Sequence, residues 1–299
     1  MLHAICNLVS RSLIGRLLLS LGLALPCLGP AQAQSTGDSL AQYYRQMEQQ
    51  LLSQGLLRQE RRVPGLDAQT LARNFMAIAM RSEYTLRGGA ATSSGHTAPL
   101  RRWETPIRLG VRFGASVDRA QQQRDLATIR GVAQRLQRAS GHPMSLVDTQ
   151  ANFHVLVLSE AERANIRPVL QQIAPDLSRA AQNAVLRMRR NTFCMVVAIP
   201  GPDPAQGLQQ AIAIVRAEHP PLMRQSCIEE ELAQGMGLSN DSRDARPSIF
   251  NDDEEFGVLT RHDELLLRML YSDSLRCGMS AGAVDDYVET LAAAVLRTG

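Results

Sequence analysis

The stretch Phe153-His154-Val155-Leu156-Val157-Leu158 is apolar on both faces of any strand it forms. Successive side chains of a strand point to opposite sides, so such a run is stable only with cover above and below it. It predicts a buried strand inside a layered domain. A second strand is expected where Ile107, Leu109, Val111 and Phe113 alternate with Arg108, Gly110 and Arg112, one face dry and one wet. Two more fit residues 193–199 and 211–215.

The segments around these strands follow a helical period. Asp67 can cap a helix carrying Leu71, Phe75 and Ile78 on one face. A helix from about Val117 presents Leu126, Ile129, Val132 and Leu136, and Gly141 with Pro143 ends it. Ser159 and Glu162 form a capping box, and Pro168 breaks or restarts the helix that follows. A helix begins near Pro221, and Gly237 is expected to stop it in a left-handed conformation. Thr260 and Asp263 cap a further helix through Leu266 and Leu270. The last, from about Ser280 to Leu296, turns Val284, Val288, Leu291 and Val295 inward. Residues 85–100, rich in Gly, Ser and Thr, read as a mobile loop. The fold class is α+β.

The chain opens like a targeting segment. Arg11 and Arg16 accompany an apolar run over 17–28, and Ala31-Gln32-Ala33 has the form of a cleavage site. The expected organisation is a signal peptide over 1–33, a glutamine-rich helical arm and charged linker over 34–66, and one domain over 67–299. No other segment is long and apolar enough to span a bilayer, so the expected location is periplasmic or secreted. The formal charge is +3, roughly +1 without the leader, too little to argue for nucleic acid or anionic lipid. All the basic residues are arginine, which excludes a Walker-A lysine or a lysine Schiff base. Past the leader stand Cys194, Cys227 and Cys277, and an oxidising compartment favours one disulfide. Cys194 with Cys227 would tie a strand to the start of the 221–237 helix, leaving Cys277 over.

That helix carries the candidate chemistry. Residues 230–241 run Glu-Glu-Leu-Ala-Gln-Gly-Met-Gly-Leu-Ser-Asn-Asp. Glu230 and Gln234 share one helix face, while Ile228, Leu232 and Met236 form the inward stripe. The frame resembles the metzincin zinc-protease helix, H-E-x-x-H-x-x-G-x-x-H, with every histidine replaced. Glu230, Gln234 and Asn240 stand at the ligand positions, Glu231 at the general base, and Gly237 keeps its place. Pro247-Ser248-Ile249-Phe250-Asn251 resembles the Met-turn of those enzymes, with Phe250 at the methionine position, and 259–271 resembles the helix after it. This resemblance implies a zincin-like fold: a twisted mixed sheet, a helix across it, and an active-site-type helix beneath an edge strand. The chain past about residue 67 also resembles a domain-of-unknown-function family of secreted bacterial proteins, number 2927. Its marks are Arg73-Asn74-Phe75 with Glu83, Arg102-Trp103, Cys227 to Asp241, and Pro247 to Tyr271.

A carboxylate and two amides offer only oxygen and one charge, a poor set for zinc. Without the metal no water is brought to a pKa of roughly 7, and Glu231 has no nucleophile to activate. The expectation is therefore a non-catalytic protein that binds a peptide or protein of the cell envelope in a degenerate protease cleft, with no cofactor. The expected cleft residues are Glu230, Gln234, Asn240, Asp241, Phe250, Asn251 and His262. The alternative is a hydrolase using Glu231 with a non-standard metal or none. The oxygen-rich run Asn251-Asp252-Asp253-Glu254-Glu255 admits calcium or another hard cation, although such runs are usually solvated loops. His154, in the buried strand, is expected to be a satisfied core histidine.

Overall fold

A computed structural model of the chain describes the backbone of residues 30–87 and 90–298 and the side chains of 37–82 and 96–298. The expected leader, with Arg11, Arg16 and the run 17–28, lies outside the described residues. Helix α1 (Pro30–Ser53) is the first described element and covers most of the glutamine-rich stretch. Helix α2 (Ala68–Ala79) starts where Asp67 accepts a hydrogen bond from the Thr70 amide at 2.8 Å. Strands β1 (Arg81–Arg87) and β2 (Ala90–Thr97) then pair antiparallel. The loop expected over 85–100 is therefore largely a hairpin arm. Tyr84, Thr85 and Leu86 are strand formers, and Gly88-Gly89 in the sequence is a hairpin signal that the small-residue composition masked.

The central sheet comes next, with β3 (Ile107–Phe113), α3 (Arg119–Ser140), β4 (Met144–Leu146) and β5 (Phe153–Leu158). Short helices α4 (Glu160–Ala164), α5 (Arg167–Ile173) and α6 (Arg179–Leu186) lead to β6 (Cys194–Pro200) and β7 (Leu208–Arg216). The strand order is β4-β3-β5-β7-β6. All neighbours are parallel except β6, which runs antiparallel to β7 and forms the rim. Every residue of β5 is buried, as its composition requires. On one sheet face Leu109, Phe153, Val155 and Ala213 meet Ile129 and Val132 of α3 in the main core. On the other, Leu156, Ile212 and Ile214 pack with Leu170 of α5 and Val185 of α6.

Helix α7 (Pro221–Gln234) follows β7, then α8 (Arg261–Leu270), α9 (Ala281–Asp285) and α10 (Val288–Thr298). The capping boxes at Ser159 and Thr260 both form. The expected last helix is two pieces, yet Val284, Val288, Leu291 and Val295 all turn inward. Helix α7 ends three residues before Gly237, whose φ of 118° is not left-handed helical. A Cβ on Gly237 would stand 2.2 Å from the Arg101 carbonyl oxygen, so this turn still requires glycine. The linker is not free either. Leu57 and Arg58 donate backbone hydrogen bonds to the carbonyls of Glu254 and Glu255 at 2.8 and 3.0 Å, and Gly257 returns one to Arg58 at 2.9 Å. Among the described residues no helix is long and apolar enough to cross a membrane.

Candidate binding cleft

Helix α7 is fixed on three sides. Its inner face, Cys227, Ile228 and Leu232, lies in the core. Arg224 donates to Asp125 of α3 at 2.7 Å, with both side chains buried. At its end a Cβ on Gly235 would run into the Phe153 ring at 2.3 Å, so glycine lets the helix terminus lie against the sheet. Trp103 closes the same corner, stacking on Phe153 and donating from Nε1 to the Gly235 carbonyl at 2.8 Å. A disulfide between Cys194 and Cys227, with Cα atoms 5.7 Å apart, ties α7 to the rim strand β6. Cys277 is a free, half-buried thiol donating to the Arg102 carbonyl, and burial pushes its pKa up to about 11.

The three consecutive glutamates have different fates. Glu229 is buried and held by both terminal nitrogens of Arg61, at 2.6 and 2.7 Å, and by the Leu259 amide at 2.9 Å. Its role is to anchor the linker. Glu230 and Glu231 instead face a hollow of about 250 Å³ between α7, the start of β6 and the 251–254 turn. Asp241, Asp252 and Glu254 complete the acidic part of its wall, with the amides of Gln234 and Asn251 among them. Gln234 donates from Nε2 to Asp241 at 2.8 Å. Carboxylate oxygens of Glu230 and Glu231 and the sulfur of Cys194 lie within 4.8 Å of one another, but that sulfur is bound in the disulfide. The donors available to a metal are thus oxygens, which suit a hard cation better than zinc.

The remaining expected residues divide. Asn251 lines the hollow while its side-chain amide donates to the Arg243 carbonyl at 2.9 Å, which holds the turn. Asn240 donates to the carbonyls of Ala77 and Asp241, at 2.9 and 2.7 Å. It lines an adjoining hollow of about 760 Å³ that reaches α2 and shares Asp241 and Asp252 with the first. Phe250 is fully buried in the main core and lines neither hollow. His262 is fully buried between α8 and α2, with Nε2 3.0 Å from the Asn74 amide nitrogen and Nδ1 3.4 Å from Asp263. The capping box turns the first turn of α8 toward α2, so this imidazole is neither exposed nor a cleft residue.

Asp263 does more than cap. Its carboxylate accepts from the Ser248 hydroxyl at 2.5 Å, the Ile249 amide at 3.1 Å and the Thr260 amide at 2.8 Å, so it fixes the turn that leads to Asn251. The acidic run after Asn251 is only partly solvated. Burial, with the charge of Asp252 beside it, pushes Glu254 up to about 7. Burial likewise raises Asp252 above the ordinary aspartate value. Glu254 holds a left-handed backbone, φ 56°, which a non-glycine residue adopts only when its surroundings impose it. The Leu57 amide on its carbonyl is one such constraint.

No curated protein and no solved structure matches the chain. Residues 68–290 match the family model described as a protein of unknown function, DUF2927, and the chain belongs to that family.

Proposed function

We propose that this protein is a zincin-like scaffold that holds an extended, cationic segment of a peptide or protein partner without cutting it. The observation that carries the reading is the concentration of Glu230, Glu231, Asp241, Asp252 and Glu254 around one hollow beside the rim strand β6. Strand β6 is paired on one side only among the described residues. An extended peptide can add there through main-chain hydrogen bonds, with alternate side chains reaching into pockets. A lysine or arginine side chain entering the hollow meets carboxylates in a partly desolvated setting, where charge-assisted hydrogen bonds are strong. The zincin-like reading draws support from the mixed sheet with α3 across it and α7 disulfide-linked to an antiparallel rim. The disulfide also favours the periplasmic or secreted location, since such bonds persist in oxidising compartments.

Edge addition has a direct test. An arginine-containing decapeptide and a copy with alternate backbone amides methylated are compared by fluorescence anisotropy on the whole protein. The reading expects the methylated copy to bind at least about ten-fold more weakly, because it removes donors from the added strand. Equal affinity would remove strand addition. One observation favours hydrolysis as a second reading: a carboxyl group near pKa 7, as Glu254 has, suits general acid–base work at neutral pH. Recovery of the peptide in fragments, abolished in Glu254→Gln, would support it.

A further inference from the structure

On the central strand β5, His154 is not a satisfied core residue. Strand β4 pairs with β3 only over Ile107, Arg108 and Leu109. Beyond it, a hollow of about 690 Å³ opens along Val111–Phe113, bounded by α3, the 147–151 turn and α5. Gly110 makes this wall possible: a Cβ there would stand 2.7 Å from the Ala151 Cβ and 3.7 Å from the Nδ1 of His154. His154 lines the hollow, is 6% exposed, and its Nε2 has no hydrogen-bond partner. Burial and the nearby Arg112 charge lower its pKa below the ordinary histidine value, partly offset by the Ala151 backbone near the ring. A neutral imidazole whose Nδ1 carries the proton leaves Nε2 as an acceptor, and a buried acceptor without a donor is costly. Arg112 of β3 and Arg130 of α3 both line the hollow, exposed, with no ion-pair partner among the described residues. Asp148 is the one acidic lining residue.

We propose that this hollow binds a small carboxylate bearing neighbouring hydroxyls, of the sugar-acid type. Arg112 and Arg130 take the carboxylate, and a ligand hydroxyl donates to the Nε2 of His154. Guanidinium groups match carboxylates, and a site holding an unsatisfied acceptor discriminates against analogues that lack the donor. Such an acid can be a free monosaccharide or the end of an acidic polysaccharide, and both present the same chemistry.

The test is titration calorimetry on the whole protein with glucuronate, a glucuronate-terminated disaccharide, glucose and cyclohexanecarboxylate. Glucuronate is expected to bind at least about ten-fold more tightly than either glucose or cyclohexanecarboxylate. Tighter binding of the disaccharide than of glucuronate points to the polysaccharide source, and the reverse to the free acid. His154→Phe, which keeps a ring and removes the acceptor, should reduce glucuronate to the cyclohexanecarboxylate level. Arg112→Gln should weaken both acids. Should His154→Phe fail to fold, the ring nitrogen signals of His154 in labelled wild-type protein decide, because Nε2 must shift on saturation. The proposal is overturned by no detectable glucuronate binding, by equal affinity for cyclohexanecarboxylate, by His154→Phe binding glucuronate like wild type, or by unmoved His154 signals.

Discussion

Glu254 is the residue whose setting most directly couples the cleft to pH. Its folded pKa of about 7 lies above the ordinary glutamate value because burial and Asp252 penalise the charge. The folded state therefore holds this proton more tightly than the unfolded state. The associated stability is fully present below the unfolded pKa of roughly 4.3 and is lost as pH rises through about 7. Urea unfolding at pH 5 and pH 8 should show Glu254→Gln gaining on wild type by on the order of 1–2 kcal/mol at the higher pH. An equal difference at both pH values would contradict the raised pKa. The same titration adds a negative charge to the cleft, so affinity for a cationic peptide should rise between pH 6 and pH 8 in wild type and stay flat in Glu254→Gln. Residues governed by their own neighbours were legible in the sequence: the Asp67 cap, the boxes at Ser159 and Thr260, and the left-handed Gly141. The division of labour among Glu229, Glu230 and Glu231 was not, because the arginine that claims Glu229 stands 168 residues away.

At the scale of elements, the linker and the disulfide hold the cleft walls in place. Arg61 ties the linker to α7 through Glu229, whose side chain is 1% exposed. Arg61→Ala leaves that carboxylate buried without its partner and should cost about 3 kcal/mol in urea unfolding. Arg58→Ala, which breaks the more exposed pairs with Glu60 and Glu255, should cost under about 1 kcal/mol. Similar losses for the two variants would place the anchor elsewhere. The disulfide spans 33 residues, and replacing both Cys194 and Cys227 by alanine should cost about 3–4 kcal/mol. That variant should also lose peptide affinity, since it releases the rim strand from α7. Strand β3 and the helices followed from periodicity, because packing against one layer imprints a period on the chain, and β5 followed from an unbroken apolar run covered on both faces. The β1–β2 hairpin did not, because its second strand, Ala90-Ala91-Thr92-Ser93-Ser94-Gly95-His96-Thr97, lacks an apolar alternation.

At the scale of the whole molecule, two opposite sheet edges carry opposite charge. The β6 edge borders a hollow rich in carboxylates, while the uncovered part of β3 borders one with two arginines and one aspartate. The 230–241 segment shows in sequence a concentration of oxygen donors, Glu230, Glu231, Gln234, Asn240 and Asp241. It could not reveal that Asp252 and Glu254 join them from a turn beyond, or that His262 is turned away toward α2. Those placements depend on Asp263 fixing the intervening turn. The central claim is that the acidic cleft grips a cationic chain and leaves it intact. Its most direct test is titration calorimetry at pH 8 of an arginine-rich decapeptide against its neutral counterpart, followed by mass spectrometry of the recovered peptide. The account predicts binding at least about ten-fold tighter for the cationic peptide, weakened by salt and by the double variant Glu230→Gln with Glu254→Gln, with the peptide recovered whole. Equal affinity for the two peptides, or a cut product, would contradict it.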